Sequence, residues 1–276
     1  MERSVIAAIA ARDVRSGVRN RWFMLYAIVF ILLSVGFSML AMGGSTLTGQ
    51  PGFGRTAAGL LNLMLLMVPL IGLTIGAQSL VGERQDRSLD YLMAQPISTR
   101  EIFLGKYLGA AASLALLLLL GFGVSGVVMA VRGAATGLGD FLLLVLLTTL
   151  LGLAMLSAGY LISSRSPQTA AALGIALTLW LLLVIVGDLG LMSSAIVMDL
   201  SPGTLLTLTL ANPLDVYKLL GVDLLQTSLD VLGPAGVYAN SQLGGVLTPL
   251  LAILLLIWIV APLPIGYLLF TRKDVR

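Results

Sequence analysis

Six long apolar segments constrain what this chain can fold into more than any other feature of its sequence. A helix needs about 20 predominantly apolar residues to cross a lipid bilayer. The segments of that kind are residues 22–42, 57–81, 107–131, 138–162, 170–187 and 246–270. A backbone inside lipid has to satisfy its own hydrogen bonds, which favours helices. The sequence therefore predicts an all-α, polytopic membrane protein with six transmembrane helices.

The composition leaves little room for a soluble catalytic domain. Of the 276 residues, 58% are hydrophobic and 11% are charged. The absence of cysteine and histidine removes the thiolate nucleophile, the commonest general base and the commonest transition-metal ligands. We therefore predict one membrane domain over residues 1–276, which is not an enzyme and has no catalytic, cofactor-binding or metal-binding residues. The eleven methionines would suit Cu(I), but methionine is also an ordinary filler of apolar helices.

The distribution of positive charge predicts the orientation. With the N-terminus inside, 13 of the 16 lysines and arginines lie on the cytoplasmic side, and only Arg55, Arg132 and Lys218 lie outside. Cytoplasmic loops of membrane proteins carry such an excess of basic residues. Both termini are therefore expected in the cytoplasm.

The most charged segment, residues 82–106, connects the second and third spans and holds four basic and four acidic residues. Its apolar residues Leu89, Leu92 and Met93 have the i, i+3, i+4 spacing of a short amphipathic helix. A solvated loop would explain the charges alone. A short helix followed by a second, capped helix favours a docking element.

The second part of this segment predicts where the next helix begins. Pro96 biases the residue before it away from the helical region. Ser98 and Glu101 then have the spacing of a capping box, in which each side chain satisfies a backbone N–H of the other residue. We expect a helix that begins here and runs through Lys106 into the membrane.

Three short motifs in this segment carry a family resemblance: Glu-Arg-x-x-x-Ser-Leu at 83–89, Gln-Pro-Ile-Ser-x-x-Glu at 95–101, and Gly-Lys at 105–106. They resemble the first cytoplasmic loop of ABC-2-type exporter permeases. The resemblance implies a coupling helix within residues 83–106 that sits on a cytoplasmic ABC ATPase. By this resemblance, the ATPase-coupling residues are Glu83, Arg84, Asp86, Arg87, Ser88, Leu89, Asp90, Leu92, Pro96, Ser98 and Glu101.

The resemblance also implies a homodimer in the bacterial inner membrane, surrounded by lipid, with ATP and magnesium bound by a separate ATPase. The sequence itself also indicates that the energy for transport comes from another polypeptide. The chain has no P-loop, since Gly105-Lys106 is followed by Tyr107 rather than Ser or Thr. The predicted span centres also hold no ionisable residue, which argues against a proton or sodium relay. Nothing in the sequence indicates nucleic-acid binding.

Two further regions leave alternatives open. The basic leader, residues 1–21, is interpreted as an interfacial elbow helix or a loosely ordered tail, with a possible break at Ser16-Gly17. In the second span, Asn62, Pro69 and Gln78 either line a path through the membrane or serve helix packing.

The insertion between the last two spans, residues 188–245, is the largest external element. Asn212 as cap, Pro213 at the first helical position and Asp215 at the third predict a helix start. We expect this helix to be a handle for a periplasmic accessory protein, through Asn212, Pro213, Asp215, Lys218 and Asp223. The alternative is a lid that only covers the membrane helices.

The run Asn-Pro-Leu-Asp-Val-Tyr-Lys-Leu-Leu at 212–220 is similar to ABC-2 permeases that serve copper-site maturation of nitrous oxide reductase. The resemblance implies export of a sulfur species, or transmission of ATP-driven motion to a periplasmic partner. A drug, lipid or polysaccharide exporter is the alternative within the family. A membrane anchor that recruits partners without transport is the alternative from another class.

Overall fold

The structure, a computed structural model, describes residues 2–19, 21–48, 53–131, 138–192, 202–224 and 244–274. Within these ranges, the side chains at 2–4, 22, 37–48, 53–63, 129–130, 138, 188–192, 202, 205 and 273–274 are not described. The described residues are almost entirely helical and include no strand. The predicted all-α fold is therefore confirmed.

The following helices lie in the described part of the chain. They are α1 (Glu2–Val18), α2 (Arg21–Thr48), α3 (Phe53–Gln85), α4 (Ser88–Met93), α5 (Thr99–Val131), α6 (Leu138–Arg165), α7 (Thr169–Met192), α8 (Pro202–Ala211), α9 (Pro213–Leu224), α10 (Leu247–Val260) and α11 (Pro262–Asp274). Among the described residues, five segments are long and apolar enough to cross a membrane, and a sixth is possible if the bent pair α1–α2 counts as one span.

The last of these five segments, Gly244–Arg272, consists of α10 and α11. The N–H of Ala261 donates to the carbonyl of Ile257 at 2.8 Å, so the helical hydrogen bonding continues to the boundary. Pro262 then begins α11, at the first helical position, where proline is tolerated because its missing N–H needs no partner. The two helices together therefore form one span.

Helices α3 and α6 form the centre of the bundle, where glycines bring their backbones into contact. A Cβ added to Gly76 would lie 2.8 Å from the backbone nitrogen of Tyr160, and one added to Gly72 would lie 2.6 Å from the carbonyl oxygen of Gly152. Membrane helices associate closely through small residues of this kind. The α3–α6 pair is therefore the closely packed core to which the segments at both ends of the bundle are attached.

Helix α1 packs side by side with the first turns of α5, and it lacks the break that the sequence analysis considered. The helix continues through Ser16 and Gly17 instead of breaking there. Residues Ile9, Asp13 and Gly17 of α1 lie against residues Gly105, Gly109 and Ser113 of α5, respectively. Two of these α5 residues are glycines, so contact does not require a continuous apolar stripe on α1. The leader is therefore a helix packed on the bundle, and the loose-tail interpretation is wrong.

Helices α8 and α9 form a hairpin that is packed into the bundle. At its turn, the Asn212 side chain donates to the carbonyl of Leu183 at 2.9 Å. Leu183 lies 14 residues beyond the start of α7 at Thr169, about 21 Å along a helix that rises 1.5 Å per residue. The hairpin thus reaches inward from the end of the bundle opposite α4.

The burial of this hairpin corrects the predicted external handle. Asn212 and Asp215 are 3% and 5% exposed, and Pro213 is also buried. Lys218 and Asp223 are only partly buried, and Asp223 accepts a hydrogen bond from Thr248 at 2.6 Å. The predicted helix start exists, but its first residues fix α9 inside the chain. The rest of the insertion, residues 193–201 and 225–243, lies outside the described part.

Candidate functional site

The charged segment after α3 forms a short helix held by two leucines. Leu89 and Leu92 of α4 are 1% and 6% exposed, because their i, i+3 spacing places both on the side facing the bundle. Between them, Asp90 and Tyr91 are exposed, and Tyr91 is exposed to 78%. Helix α4 therefore presents a polar face outward from a fixed position.

The turn that leads into α4 contains an unusual backbone conformation. Arg87 has φ 56° and ψ 12°, in the left-handed region, and precedes the first residue of α4. This region costs about 1–2 kcal/mol for a residue with a Cβ. The N–H of Arg87 donates to the carbonyl of Arg84 at 3.3 Å, so the turn is closed by hydrogen bonding. Because this conformation cannot continue the right-handed helix of α3, α4 begins as a separate helix.

The predicted capping box is present at the start of α5. The N–H of Ser98 donates to the Glu101 carboxylate at 2.9 Å, and the N–H of Glu101 donates to the Ser98 hydroxyl at 3.3 Å. The Ser98 hydroxyl also donates to the same carboxylate at 2.7 Å. These bonds satisfy backbone donors that a helix start otherwise leaves free. The first turn of α5 is thereby fixed next to α4.

Replacing Ser98 with alanine is expected to destabilise this helix start by about 1 kcal/mol. The loss should be local, because the capping box is exposed and the buried side chains of α5 are unchanged. Hydrogen exchange should accelerate at residues 97–103 and remain unchanged in the α3–α6 pair. Unchanged exchange at residues 97–103 would show that the box does not stabilise this end of α5.

The end of α3 is also bound to the connection between α6 and α7. The Arg84 guanidinium donates to the carbonyl of Ser166 at 3.0 Å. The N–H of Thr169 donates to the Gln85 side-chain oxygen at 3.3 Å, and the Thr169 hydroxyl donates to the same atom. Arg84 therefore makes a contact within the chain, although the sequence placed it among the partner-facing charges.

A buried cluster of three charges lies beside this end of α3. The Lys106 ammonium is 2.8 Å from an Asp13 carboxylate oxygen and 2.6 Å from a Glu83 carboxylate oxygen. The Lys106 side chain is 1% exposed, whereas those of Asp13 and Glu83 are 16% and 23% exposed. The cluster connects α1, α3 and α5. Like Arg84, Glu83 therefore binds a residue of its own chain, although the sequence analysis placed it among the partner-facing charges.

A cavity of about 360 Å³ adjoins the three charges. Its lining comes mostly from α1, α2, α3 and α5 and includes Ser79, Asp86 and Gln78. The Gln78 amide donates to the carbonyl of Thr74 in its own helix at 3.2 Å. Pro69 lies inside α3 and is buried, while the side chain of Asn62 lies outside the described part. Of the two described path residues, Gln78 lines this cavity and Pro69 does not.

The structure sorts the predicted coupling residues into two groups. Leu89 and Leu92 anchor α4, while Ser98 and Glu101 cap α5. The second group is exposed and consists of Asp86, Arg87, Asp90 and Pro96. The sequence analysis missed Asp13 and Lys106 as a pair. One sequence feature could have indicated the pair: Lys106 lies in an apolar helix between Gly105 and Gly109, two small residues that allow another helix to approach closely.

Comparison with known proteins identifies the family of the chain. The family model "ABC-2 family transporter protein" matches residues 7–275. The chain is similar to the "Probable ABC transporter permease protein NosY" of Stutzerimonas stutzeri, with 31% identity over 96% of this chain and 97% of that protein. It is also similar to the protein of the same name from Pseudomonas aeruginosa, with 33% identity over 98% of this chain and 99% of that protein. The chain therefore belongs to the ABC-2 family of transporters, as a multi-pass membrane permease.

Proposed function

We propose that this chain is the membrane subunit of an ATP-driven transporter and that α4 docks on a separate ATP-binding subunit. The observation that carries the proposal is the fixed but outward-facing α4. Leu89 and Leu92 bury one side of the helix, and Asp86, Arg87 and Asp90 are exposed around it. A partner that pushes on such a helix also moves the bundle, because α4 is continuous with α3 through a closed turn.

The orientation that fits this proposal has the α4 end of the bundle in the cytoplasm, together with both chain termini. The excess of lysine and arginine supports it. ATP and magnesium would then bind only to the partner, and two copies of the permease would work with two ATPase subunits in the bacterial inner membrane.

Within this class, we propose a role in copper-site maturation of nitrous oxide reductase. The support is the similarity over nearly the whole chain to two permeases named NosY, together with the resemblance at residues 212–220. The permease would export a sulfur species or transmit ATP-driven motion to a periplasmic accessory protein. Cross-linkers at Lys218 and Asp223 test the second possibility, since both are partly exposed on α9. Cross-links to a distinct periplasmic protein support it, and cross-links only between permease copies contradict it.

Charge reversal on α4 tests the docking proposal. In the double variant Asp86→Lys, Asp90→Lys, attraction to basic groups of the partner becomes repulsion. We expect recovery of the ATPase with the purified permease to fall about tenfold, which corresponds to about 1.4 kcal/mol. Single exposed pairs contribute only about 0–1 kcal/mol, so two reversals are combined. Membrane insertion and thermal unfolding of the permease should remain unchanged.

Asp140→Lys is the matched control, because Asp140 is exposed and lies in the first turn of α6 at the opposite end of the bundle. The control should retain the ATPase. If the double variant also retains it in full, α4 is not the docking site. If no ATPase accompanies the unmodified permease, the membrane-anchor alternative is favoured.

A further inference from the structure

The buried Lys106 and its two partly exposed acidic partners connect three helices, but the packing on the two sides of the lysine differs. Lys106 of α5 pairs with Asp13 of α1 on one side and with Glu83 of α3 on the other. Because the lysine has two acidic partners, removing one acid leaves it paired with the other. Each acid therefore fastens its own helix to α5.

On the side of α1, the contact with α5 is close and does not depend on the charges alone. A Cβ added to Gly109 would lie 2.6 Å from the Cβ of Asp13, and one added to Gly105 would lie 2.9 Å from the Cβ of Ile9. Ile9 is only 6% exposed. Because interiors packed at this density resist deformation, we treat α1 and the first turns of α5 as one unit, called here the α1–α5 pair.

On the side of α3, the structure is open. The cavity of about 360 Å³ has α3 on one side, with Ser79 and Gly82 in its lining, and the α1–α5 pair on another, with Ser16 and Ser113. The second carboxylate oxygen of Glu83 is buried and makes no hydrogen bond in the described part of the chain. The Lys106–Glu83 ion pair therefore bridges a gap that side-chain packing does not fill.

We propose that Lys106 is a positioning residue, which fastens the α1–α5 pair to the end of α3, so that a displacement of α4 also moves α1 and α5. The inference rests on the proposed docking of an ATPase on α4. Glu83 is five residues before the first residue of α4, and its carbonyl accepts a hydrogen bond from the Ser88 hydroxyl at 3.4 Å. Besides the direct chain connection from α4 to α5, a push on α4 would reach Glu83 through this turn and would pass to α5 through Lys106 and to α1 through Asp13.

The absence of cysteine in the natural sequence allows a direct test with pairs of spin labels. Labels at the exposed Ala8 and Ala94 report the distance from α1 to the end of α4, and labels at Ala8 and the exposed Leu108 report the distance within the α1–α5 pair. In the permease alone, in lipid nanodiscs, Glu83→Ala should broaden the first distance distribution and leave the second unchanged. The lysine keeps its pair with Asp13 in this variant.

The second measurement uses the complex with its ATPase, without nucleotide and with trapped ATP. In the unmodified permease, the distance from Ala8 to Ala94 should be the same in both states, because the two segments move together. In Glu83→Ala, this distance should change when ATP is trapped. Glu83→Gln keeps the size and an acceptor but loses the charge, and it should give a smaller effect. If the alanine variant fails to insert into the membrane, Glu83→Gln is compared with the unmodified permease instead.

Arg12→Ala is the matched control, since Arg12 is exposed and adjacent to Asp13 on α1. It should leave both distance distributions unchanged. The inference is overturned if Glu83→Ala and Glu83→Gln give the distributions of the unmodified permease in both measurements. If the unmodified permease binds no ATPase, the proposed function fails, whereas the nanodisc measurement still decides whether Glu83 fastens the helices.

Discussion

Replacement of Gly76 with valine is expected to destabilise the bundle more than any other single substitution considered for this chain. Even the first added carbon would lie 2.8 Å from the backbone nitrogen of Tyr160 and 3.0 Å from the carbonyl carbon of Gly159, and still closer to the carbonyl oxygen of Leu156. These are backbone atoms of α6, which cannot rotate away as a side chain can. Overpacking typically costs about 1–3 kcal/mol. Because valine at position 76 would have to push two whole helices apart, we expect a loss of stability at or above the upper end of this range.

The measurement is thermal unfolding of the purified permease, with Gly76→Ala as the smaller step and Gly82→Ala as the control. Gly82 lies in the same helix, but a Cβ added there meets no atom within 4 Å. Alanine stabilises a helix interior by about 0.8–1.0 kcal/mol relative to glycine. Gly82→Ala should therefore be neutral or stabilising. Equal unfolding temperatures for Gly76→Val and Gly82→Ala would contradict the close α3–α6 contact.

The local features of this fold were predictable from the sequence because they depend on residues only a few positions apart. Ser98 and Glu101 form the predicted capping box, and Leu89 and Leu92 form the buried side of α4. Asn212 precedes α9 as its cap. In each case, the spacing within one helical turn determines which groups meet.

The contacts between distant segments could not be predicted in the same way. Glu83 and Arg84 read as solvent-facing charges because their partners, Lys106 and the carbonyl of Ser166, lie 23 and 82 residues further along the chain. The pairing of Lys106 with Asp13 depends on the contact between α1 and α5. That contact is made by glycines, which leave no periodic apolar pattern for sequence analysis to detect.

The insertion shows how a correct local prediction led to a wrong expectation about exposure. The predicted helix start at Asn212 is present, but the loop length and the acidic charges suggested an external position. In the structure, Tyr217 of α9 is fully buried and shares a hydrogen bond with Thr148 of α6 at 2.9 Å. The hairpin is therefore packed into the helical bundle. Its turn at Asn212 is a position where a small change should have a large effect.

Replacement of Asn212 with alanine is expected to release the α8–α9 hairpin from α7. The Asn212 side chain accepts the N–H of Leu214 at 3.1 Å and donates to the carbonyl of Leu183 at 2.9 Å. A net contribution of about 0.5–1.5 kcal/mol for each buried hydrogen bond gives a loss of about 1–3 kcal/mol. Hydrogen exchange should accelerate across residues 202–224, since the hairpin loses both its cap and its link to the neighbouring helix.

Two further variants separate these two roles of Asn212. Asn212→Ser keeps an oxygen that can cap α9 but is too short to reach Leu183, so it should accelerate exchange less than alanine does. Thr207→Ala removes an exposed hydroxyl whose hydrogen bond in the described part of the chain lies within α8, to the carbonyl of Gly203 at 2.9 Å. It should leave exchange elsewhere in the hairpin unchanged. If Asn212→Ala exchanges at the rate of Thr207→Ala, the side chain does not anchor the hairpin. The packing of Tyr217 and its neighbours would then be sufficient to hold the hairpin, because a fully buried aromatic side chain makes many more van der Waals contacts than one amide does.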